Sequence, residues 1–239
     1  KKDYFKKEFL FKMEVGFSKK ISLFQLNDHP KPKLMFNKNY PFFTSSSKYM
    51  IKHFKNYSNW VKKYYFKDIK KVIEIGSNDG TLLKNFKSPV TEILGIEPSK
   101  NVASVAMSKN INTINKFFSF KTANSLKKFK NKTDLICGAN AICHIPNLND
   151  LIKGIDILLS KKGVFVFEDP YLGSMYEKTS YDQIYDEHIF MFSASSVEKI
   201  WSLHGYMLVD ALPQKTHGGS MRYVLKQKGI TKKSKRLIA

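Results

Sequence analysis

The chain has 239 residues and a formal net charge of +21, from 41 Lys and Arg against 20 Asp and Glu. Hydrophobic residues make up 42% of it and aromatic residues 14%, which excludes a disordered chain and predicts one large domain. No apolar run approaches the roughly 18 residues that a membrane helix needs. Charge also interrupts the N-terminus too often for a signal peptide. We therefore expect a cytoplasmic protein with no membrane association and with reduced cysteines.

The positive charge alone does not indicate a nucleic-acid-binding protein. The lysines are spread along the whole chain among many Asn, Ile, Phe and Tyr, a joint bias typical of AT-rich coding sequences. We interpret the charge as a solvated basic surface rather than a nucleic-acid patch. A small anionic substrate or an acidic partner would account for it equally well. We expect a monomer or a weak dimer.

The first 50 residues show no clear periodicity, and we expect an irregular segment over residues 1–50. Prolines 30 and 32 exclude a helix around them. A serine cluster then precedes a helical period of apolar residues from Met50 to Val61, which predicts a capped helix.

From residue 71 the pattern changes to short, β-branched, apolar strands that alternate with segments able to form helices. This alternation predicts an α/β fold with a doubly wound, mostly parallel sheet. The strands are predicted at 71–76, 92–98, 111–115, 134–140 and 163–170, with helices such as 99–109 and 147–160 between them.

The C-terminal part of the chain predicts a helix and a closing pair of strands. A Ser-capped helix follows residue 195 and ends at Gly205. Residues 206–213 and 220–227 indicate two antiparallel strands. We therefore place the main domain at 51–225 and a poorly ordered basic tail at 226–239.

A glycine-containing turn follows the first of these strands, in the stretch EIGSNDGTLL. Gly76 and Gly80 allow a ligand to approach the backbone closely. Their G-x-x-x-G spacing differs from the G-x-G-x-x-G of nicotinamide and flavin sites. Glu97 ends the second strand, where a carboxylate can accept both hydrogen bonds of a ribose diol. Together these residues resemble the Rossmann-like class I S-adenosylmethionine-dependent methyltransferases; a glycine-rich turn in an ordinary α/β protein is the alternative.

This resemblance implies S-adenosylmethionine as cofactor and S-adenosylhomocysteine (SAH) as product. It places Glu74 and Asp79 near the methionine end. Phe117 and Phe118 would flank the adenine, although a purely structural role in the core fits them as well. The implied cofactor-binding residues are Glu74, Gly76, Asn78, Asp79, Gly80, Glu97, Pro98, Phe117, Phe118 and Asn140.

Longer motifs resemble a narrower family, the C-methyltransferases that act on nucleotide-linked deoxysugars in antibiotic biosynthesis. They are NKNYPFFTSSS, GANAICHIPNL, VFVFEDPYLGSMYEKTSYDQIYDEHIFMFSASSVEKI and LPQKTHGGSMRY, and the resemblance runs from about residue 12 to residue 225. It implies a 4-keto sugar substrate. A base would remove the proton beside the ketone, and the resulting enolate would attack the methyl group.

The resemblance assigns the stretch YDEH to the reaction centre. It implies His188 as general base, with Glu187 and Tyr185 beside it, and His144 and Tyr40 facing the substrate. The ordinary histidine pKa of about 6.5 suits proton abstraction at neutral pH. A carboxylate can orient the ring and a tyrosine hydroxyl can bind an enolate oxygen. The alternative is that the acidic residues form the first turn of a helix and that His144 is a packed residue.

Two features depart from the family. Its members carry an N-terminal zinc module with paired cysteines, but Ser18 and Ile21 stand where such a pair would lie, so we expect no structural zinc. Residues 1–50 would then be a degenerate remnant of the module that acts as a substrate-facing lid. The sequence also lacks the family's long C-terminal domain. We therefore expect either a fragment or a compact relative with a different substrate.

Three functions therefore remain open from the sequence. The first is C-methylation of a keto-sugar nucleotide. The second is O- or N-methylation of a small phosphorylated metabolite on the same scaffold. The third is a non-catalytic module that binds S-adenosylmethionine.

Overall fold

The computed structural model of the chain describes residues 10–229 and 232–238. The described strands are β1 (Val15–Ser18), β2 (Leu23–Leu26), β3 (Lys71–Ile75), β4 (Glu92–Ile96), β5 (Thr113–Ile114), β6 (Thr133–Ala139), β7 (Leu159–Pro170), β8 (Phe190–Met191), β9 (Tyr206–Gln214) and β10 (Ser220–Gln227). The described helices are α1 (Pro32–Met35), α2 (Lys48–Tyr64), α3 (Lys100–Ser108), α4 (Phe120–Ser125), α5 (Leu148–Leu158), α6 (Leu172–Lys178), α7 (Ala194–Ser202) and α8 (Lys235–Ile238).

Seven strands form the central sheet, in the order β5-β4-β3-β6-β7-β10-β9. The five strands from β5 to β7 run parallel. Strand β10 lies antiparallel between β7 and β9. This arrangement confirms the predicted α/β fold, its mostly parallel sheet and its antiparallel C-terminal pair.

Alternating side chains of the strands fill two separate cores, one on each face of the sheet. On one face Phe165 and Phe167 of β7 pack with residues of α5 and α7. On the other face Val164 and Val166 pack with residues of α2. Both faces are thus covered by helices, which is why these strands are continuous apolar runs in the sequence.

The helix ends follow the predicted capping signals. The Ser47 hydroxyl accepts a hydrogen bond from the Met50 amide at the start of α2. Ser193 and Ser196 form a capping box at the start of α7. Gly205 follows α7 with a φ of +79°, a left-handed conformation that favours glycine.

The expectation of an irregular segment over 1–50 is wrong for residues 15–26 and for Pro32–Met35. Prolines do not exclude helix α1, because it begins at Pro32 and a proline is tolerated in the first turn of a helix. Strands β1 and β2 form an antiparallel hairpin, and β2 also pairs with β8. Leu23 and Leu26 are buried. The pairing depends on residues 190–191, far along the chain, so no local pattern reveals it. Residues 1–9 lie outside the described residues.

Part of the basic tail also packs on the domain. The Ser234 amide donates to the Val209 carbonyl at 2.7 Å, and its hydroxyl donates to the Asp210 carboxylate at 2.8 Å. Helix α8 follows beside β9. The prediction of a poorly ordered tail is therefore wrong for residues 232–235, while residues 230, 231 and 239 lie outside the described part. Among the helices described, none combines the length and apolarity needed to cross a bilayer.

Candidate active site

A cavity of about 690 Å³ opens at the carboxyl ends of the parallel strands, where open α/β sheets bind their ligands. One half is lined by residues that follow β3 and β4. The other half is lined by residues that follow β6 and β7, by part of the YDEH stretch and by the β9–β10 connection. Residues 32–47 cover it with aromatic side chains, among them Phe36, Tyr40, Phe42 and Phe43.

The turn after β3 requires its glycines for different reasons. Gly76 has a φ of +67°, and a Cβ there would lie 2.6 Å from the Ala141 Cβ. Gly76 lines the cavity, so the absence of a side chain keeps this wall open. Gly80 has a φ of +76°, but a Cβ there would face Ile111. Gly80 is not among the described residues that line the cavity, which corrects its predicted contact with the cofactor.

Glu97 lies at the end of β4 and lines the cavity. Its carboxylate oxygens accept hydrogen bonds from the Asn78 amide at 2.9 Å and the Ser99 amide at 2.7 Å. Burial raises its pKa, although these backbone hydrogen bonds oppose the shift. Each oxygen keeps a further lone pair, so this carboxylate fits a ribose diol. Pro98 lines the cavity beside it.

Glu74 is a buried acid on the cavity wall, and its Oε2 has no hydrogen-bond partner among the described residues. Burial, followed by the charges of Glu97 and Asp79, raises its pKa well above the ordinary value. A buried acceptor oxygen without a partner destabilises the protein unless a ligand satisfies it. The ammonium group of S-adenosylmethionine is a donor of the required kind, so this wall fits the expected cofactor.

Asp79 lies behind the turn rather than on the cavity wall, which corrects its expected place at the methionine end. Its carboxylate accepts hydrogen bonds from the Ser45 amide at 2.9 Å and the Thr81 hydroxyl at 2.6 Å. The Lys109 ammonium lies 3.6 Å away. Burial opposes ionisation of Asp79, but the hydrogen bonds from Ser45 and Thr81 lower its pKa. Asp79 thus holds the covering segment.

Asn78 contributes to the same connection. Its side-chain oxygen accepts from the Thr44 amide and its NH₂ group donates to the Phe42 carbonyl, both at 3.0 Å. Asn78 adopts a φ of +48° and lines the cavity. The cofactor turn and the covering segment are therefore joined directly.

Phe117 and Phe118 both line the cavity. Phe118 is only 8% exposed, and its ring packs closely against Gly154 of α5. It is therefore largely a core residue. Phe117 is the more accessible of the two.

Tyr185 separates His188 from the cavity. The Tyr185 hydroxyl lies 2.9 Å from His188 Nε2, and His188 Nδ1 lies 2.8 Å from the Gln183 carbonyl. Because that carbonyl can only accept, Nδ1 carries the proton and Nε2 accepts from the hydroxyl. Tyr185 lines the cavity, whereas His188 is not among the described residues that do so. The predicted direct contact between His188 and substrate is thereby corrected.

Burial sets the protonation of this pair. It lowers the pKa of His188 to about 4, although the hydrogen bond to Gln183 opposes the shift. The ring is therefore neutral at pH 7. Burial and the neighbouring Cys143, Glu187 and Asp186 raise the pKa of Tyr185, so the phenol keeps its proton.

Glu187 contacts Tyr40 rather than the His188 ring. The Tyr40 hydroxyl donates to Glu187 Oε2 at 3.4 Å, and both side chains line the cavity. Burial raises the pKa of each group. The expectation that Glu187 orients His188 is wrong, because the Gln183 carbonyl and the Tyr185 hydroxyl already occupy both ring nitrogens.

His144 lines the cavity between Phe36 and His188, with ring centroids 5.4 and 5.3 Å away. Its Nε2 is buried without a hydrogen-bond partner in the part of the chain described. Burial, then the neighbouring His188, lowers its pKa well below the ordinary value. His144 is therefore a neutral ring with one nitrogen free for a ligand.

Asp169 holds the loop that carries His144, and the sequence reasoning missed it. Its carboxyl group accepts from the Ala141 amide at 3.1 Å and the Cys143 amide at 2.9 Å. Burial raises its pKa to about 8, against these backbone hydrogen bonds. Asn140 begins the same loop, lines the cavity and hydrogen-bonds to Tyr185.

Glu168 is a second acid that was missed. It lies on the cavity wall, and its carboxylate contacts His53 Nε2 at 2.6 Å and Arg222 Nε at 2.5 Å. The motifs FEDP and GGSMRY contain Glu168 and Arg222, but local patterns do not show that β7 and β10 place them opposite each other.

Cys143, His144 and His188 bring potential ligand atoms within 4.8 Å of one another. The two imidazole rings are stacked at an interplanar angle of 18°, so their in-plane lone pairs point side by side rather than at one point. His188 Nε2 is also bonded to Tyr185. This geometry favours proton transfer over metal binding, and the absence of a metal stays a prediction.

Comparison with known proteins supports the same class of site. Residues 46–211 match the family described as methyltransferase domain. The C-methyltransferase NovU of Streptomyces niveus is 28% identical over 215 residues, which cover 90% of this chain and 51% of NovU. The chain thus spans about half the length of this curated relative.

Solved structures share the fold at low sequence identity. The plantazolicin methyltransferase BpumL, in complex with SAH, has a TM-score of 0.57 and 15% identity over 73% of this chain and 82% of its own. Magnesium protoporphyrin IX methyltransferase from Synechocystis PCC 6803, with bound SAH, has a TM-score of 0.54 and 12% identity over 74% and 83%. A methyltransferase from Clostridium acetobutylicum has a TM-score of 0.56 and 14% identity over 74% and 92%.

The family match covers more than half of the chain, and the structural matches agree with the observed sheet. Two acids line the cavity, Glu97 directly after β4 and the unpartnered Glu74 within β3. The chain therefore belongs to the methyltransferase domain family, and it has the fold and the cofactor cavity of an S-adenosylmethionine-dependent methyltransferase.

Proposed function

We propose that this domain methylates the carbon beside the ketone of a nucleotide-linked keto sugar. The observation that carries the proposal is the hydrogen-bonded pair of Tyr185 and His188 at the cavity wall. Carbon methylation needs a base that removes the proton from the carbon beside the ketone, and this pair supplies a route for that proton. The similarity to the C-methyltransferase NovU supports the same chemistry.

The cofactor half of the cavity would hold S-adenosylmethionine through Glu97 and Glu74. Glu97 would accept from the ribose hydroxyls, and Glu74 from the ammonium group. The bound cofactor supplies an electrophilic methyl group on a sulfonium. Phe36, Phe42 and Phe43 cover the cavity and would exclude water from the reaction.

The proton route follows from the hydrogen bonds of Tyr185 and His188. The Tyr185 oxygen would take the proton from the sugar carbon while its own proton passes to His188 Nε2. The C–H electron pair would form the enolate, and its carbon would accept the methyl group as the methyl–sulfur bond breaks and its electron pair stays on the sulfur of SAH. Tyr185 keeps its proton at rest, so it is not a base by itself. The neutral His188 ring makes the relay possible.

His144 would stabilise the enolate. His144 lines the cavity and its buried Nε2 has no hydrogen-bond partner among the described residues, so a neutral ring with the proton on Nε2 could donate to the enolate oxygen. Tyr40 and Glu187 lie on the same side and would position the sugar. The proposed mechanism uses the same residues as the family resemblance implies, but His188 acts through the Tyr185 hydroxyl instead of contacting the substrate.

The two rival functions have less support. Methylation of oxygen or nitrogen does not need the removal of a carbon-bound proton, so the Tyr185–His188 pair favours it less than carbon methylation. A non-catalytic module has no need of the Tyr185–His188 pair or of a free His144 nitrogen.

The test measures methyl transfer to nucleotide-linked 4-keto sugars, with the product identified by NMR. His188→Asn and Tyr185→Phe should each lower kcat by about 10²–10⁴, because both interrupt the proton route. SAH affinity should remain unchanged. His204→Asn is the matched control, since His204 contacts Asn149 outside the cavity and should stay fully active. Near-full activity of both pair variants would overturn the proposed mechanism, and a product methylated on oxygen would overturn the proposed carbon acceptor.

A further inference from the structure

One wall of the cavity consists of polar side chains that the proposed reaction does not use. Glu168 near the end of β7 lies there with Thr216 of the β9–β10 connection and Ser220, the first residue of β10. All three are at most 3% exposed. Buried polar groups facing a cavity indicate a ligand that hydrogen-bonds to them.

Glu168 is held as an anion by its neighbours. One carboxylate oxygen accepts from His53 Nε2 and the other from Arg222 Nε, with a second ion-pair contact to the Arg222 guanidinium. That guanidinium also lies over the rings of Tyr57 and Trp60, at 4.2 and 4.7 Å from their centroids. Burial would raise the pKa of Glu168, but the hydrogen bond from His53 and the charge of Arg222 hold it below its usual value.

An ionised carboxylate accepts hydrogen bonds but cannot donate one. Two nitrogens of Arg222 contact Glu168 Oε1, whereas Oε2 keeps a lone pair beyond the one that His53 occupies. A ligand group at this wall must therefore be a hydrogen-bond donor. The Ser220 hydroxyl donates to the Thr216 carbonyl at 3.0 Å, which leaves its oxygen as a further acceptor.

The charge of the whole cavity agrees with this requirement. Its described walls contain five acidic residues and a single lysine, Lys33, which is exposed. Glu168 is held ionised, so an anionic group would be repelled from this part of the wall. Hydroxyl groups carry no charge and donate readily to a carboxylate.

We propose that Glu168, together with Ser220, is a specificity-determining residue that accepts hydrogen bonds from ring hydroxyls of the methyl acceptor. The inference rests on the proposed function and narrows its substrate to a sugar with a free hydroxyl at this wall. The phosphate groups of the acceptor lie outside the acid-lined interior.

The test compares a nucleotide-linked 4-keto sugar with a set of analogues that each lack one ring hydroxyl. The unmutated protein should prefer the hydroxylated sugar over one analogue. In Glu168→Gln the KM for the hydroxylated sugar should rise by about 10-fold, the scale for losing a hydrogen bond to a charged group. In the same variant, the KM for the analogue that lacks the hydroxyl should change little, and so should the kcat for both sugars. Glu168→Asp should restore part of the preference.

Two further variants separate recognition from folding. Glu198→Gln is the matched control, because Glu198 pairs with Lys233 on the surface and should leave the preference unchanged. Ser220→Ala removes an acceptor from the same wall without touching Arg222. It should reduce the preference even if Glu168→Gln does not fold.

The outcomes distinguish the inference from the function on which it rests. If folded Glu168→Gln binds SAH and keeps the full hydroxyl preference, the inference is wrong and the proposed function stands. If the unmutated protein binds SAH but methylates no sugar of the set, the proposed substrate fails and the inference fails with it.

Discussion

Neighbouring residues in the YDEH stretch face different partners. Tyr185 and His188 contact each other, while Glu187 turns to Tyr40. The sequence shows that an acid, a histidine and a tyrosine are close, but it does not show their directions. A proton route through Tyr185 therefore emerges only from the structure.

The pH dependence of kcat/KM tests the state of His188. The proposed relay needs a neutral ring, and burial lowers the pKa of His188 to about 4. Protonation below that pH should abolish activity, so the acidic limb should lie near pH 4 rather than near 6.5. SAH affinity measured at the same pH values controls for loss of the cofactor. Half-loss of activity near pH 6.5 would contradict a buried His188 as the proton acceptor.

Glu97→Ala tests the cofactor half of the site. Removing the carboxylate should weaken SAH binding by about 1–3 kcal/mol, the scale for hydrogen bonds to a charged group. Isothermal calorimetry measures the affinity, and a thermal unfolding scan checks that the variant folds. Glu92→Ala is the control, because Glu92 begins the same strand but pairs with the surface residue Lys71. Equal affinities for the two variants would exclude the assigned role of Glu97.

At the scale of elements, the covering segment and the cofactor turn form one unit. Asn78 and Asp79 of the turn hold the backbone of residues 42–45 through three hydrogen bonds to or from main-chain groups. The covering aromatic residues are thereby positioned by the same turn that borders the cofactor. The segment must loosen from this turn if the cofactor is to enter past it.

Asp79→Asn should loosen the segment. The amide NH₂ of the new side chain would face N–H and O–H groups that now donate hydrogen bonds to the carboxylate. We therefore expect a loss of about 1–3 kcal/mol in the free energy of unfolding. The pKa of Asp79 is lowered by folding, so its contribution is present above the unfolded pKa of about 3.9 and disappears as the pH falls through the folded value. The difference in the free energy of unfolding between Asp79→Asn and the unmutated protein should therefore have its full size at pH 7.

Hydrogen exchange of the Ser45 amide measures this effect directly, because that amide donates to Asp79. Exchange should be faster in Asp79→Asn and unchanged in Asp182→Asn, whose carboxylate is exposed. Unaltered Ser45 protection in Asp79→Asn would show that the segment is held by other contacts.

Elements with local signals could be predicted, and elements defined by distant partners could not. The alternation of strands and helices from residue 71 predicts the central sheet because each strand is buried on both faces. The small sheet of β1, β2 and β8 could not be predicted, because β8 has only two residues and lies far from the other two strands along the chain. Likewise, Gly76, Glu97 and Tyr185 are visible as motif residues, whereas Glu168 and Asp169 gain their roles from the packing of β7.

At the scale of the whole molecule, the charge of the surface and the charge of the cavity have opposite signs. The chain carries a net +21, yet on the described cavity wall five acidic residues face a single lysine. The positive charge of the surface therefore does not predict the charge of the substrate group that reacts. It can attract an anionic substrate towards the protein, while the acidic interior selects an uncharged reacting end.

Proton exchange at the acceptor carbon tests the central claim most directly. The protein, SAH and a nucleotide-linked 4-keto sugar are incubated in D₂O, and the sugar is analysed by mass spectrometry and NMR. Enolate formation through Tyr185 and His188 predicts that deuterium enters the carbon beside the ketone faster than without protein, and that His188→Asn abolishes this gain while His204→Asn does not. No exchange above the background in the unmutated protein, with SAH bound, would contradict carbon methylation by this site.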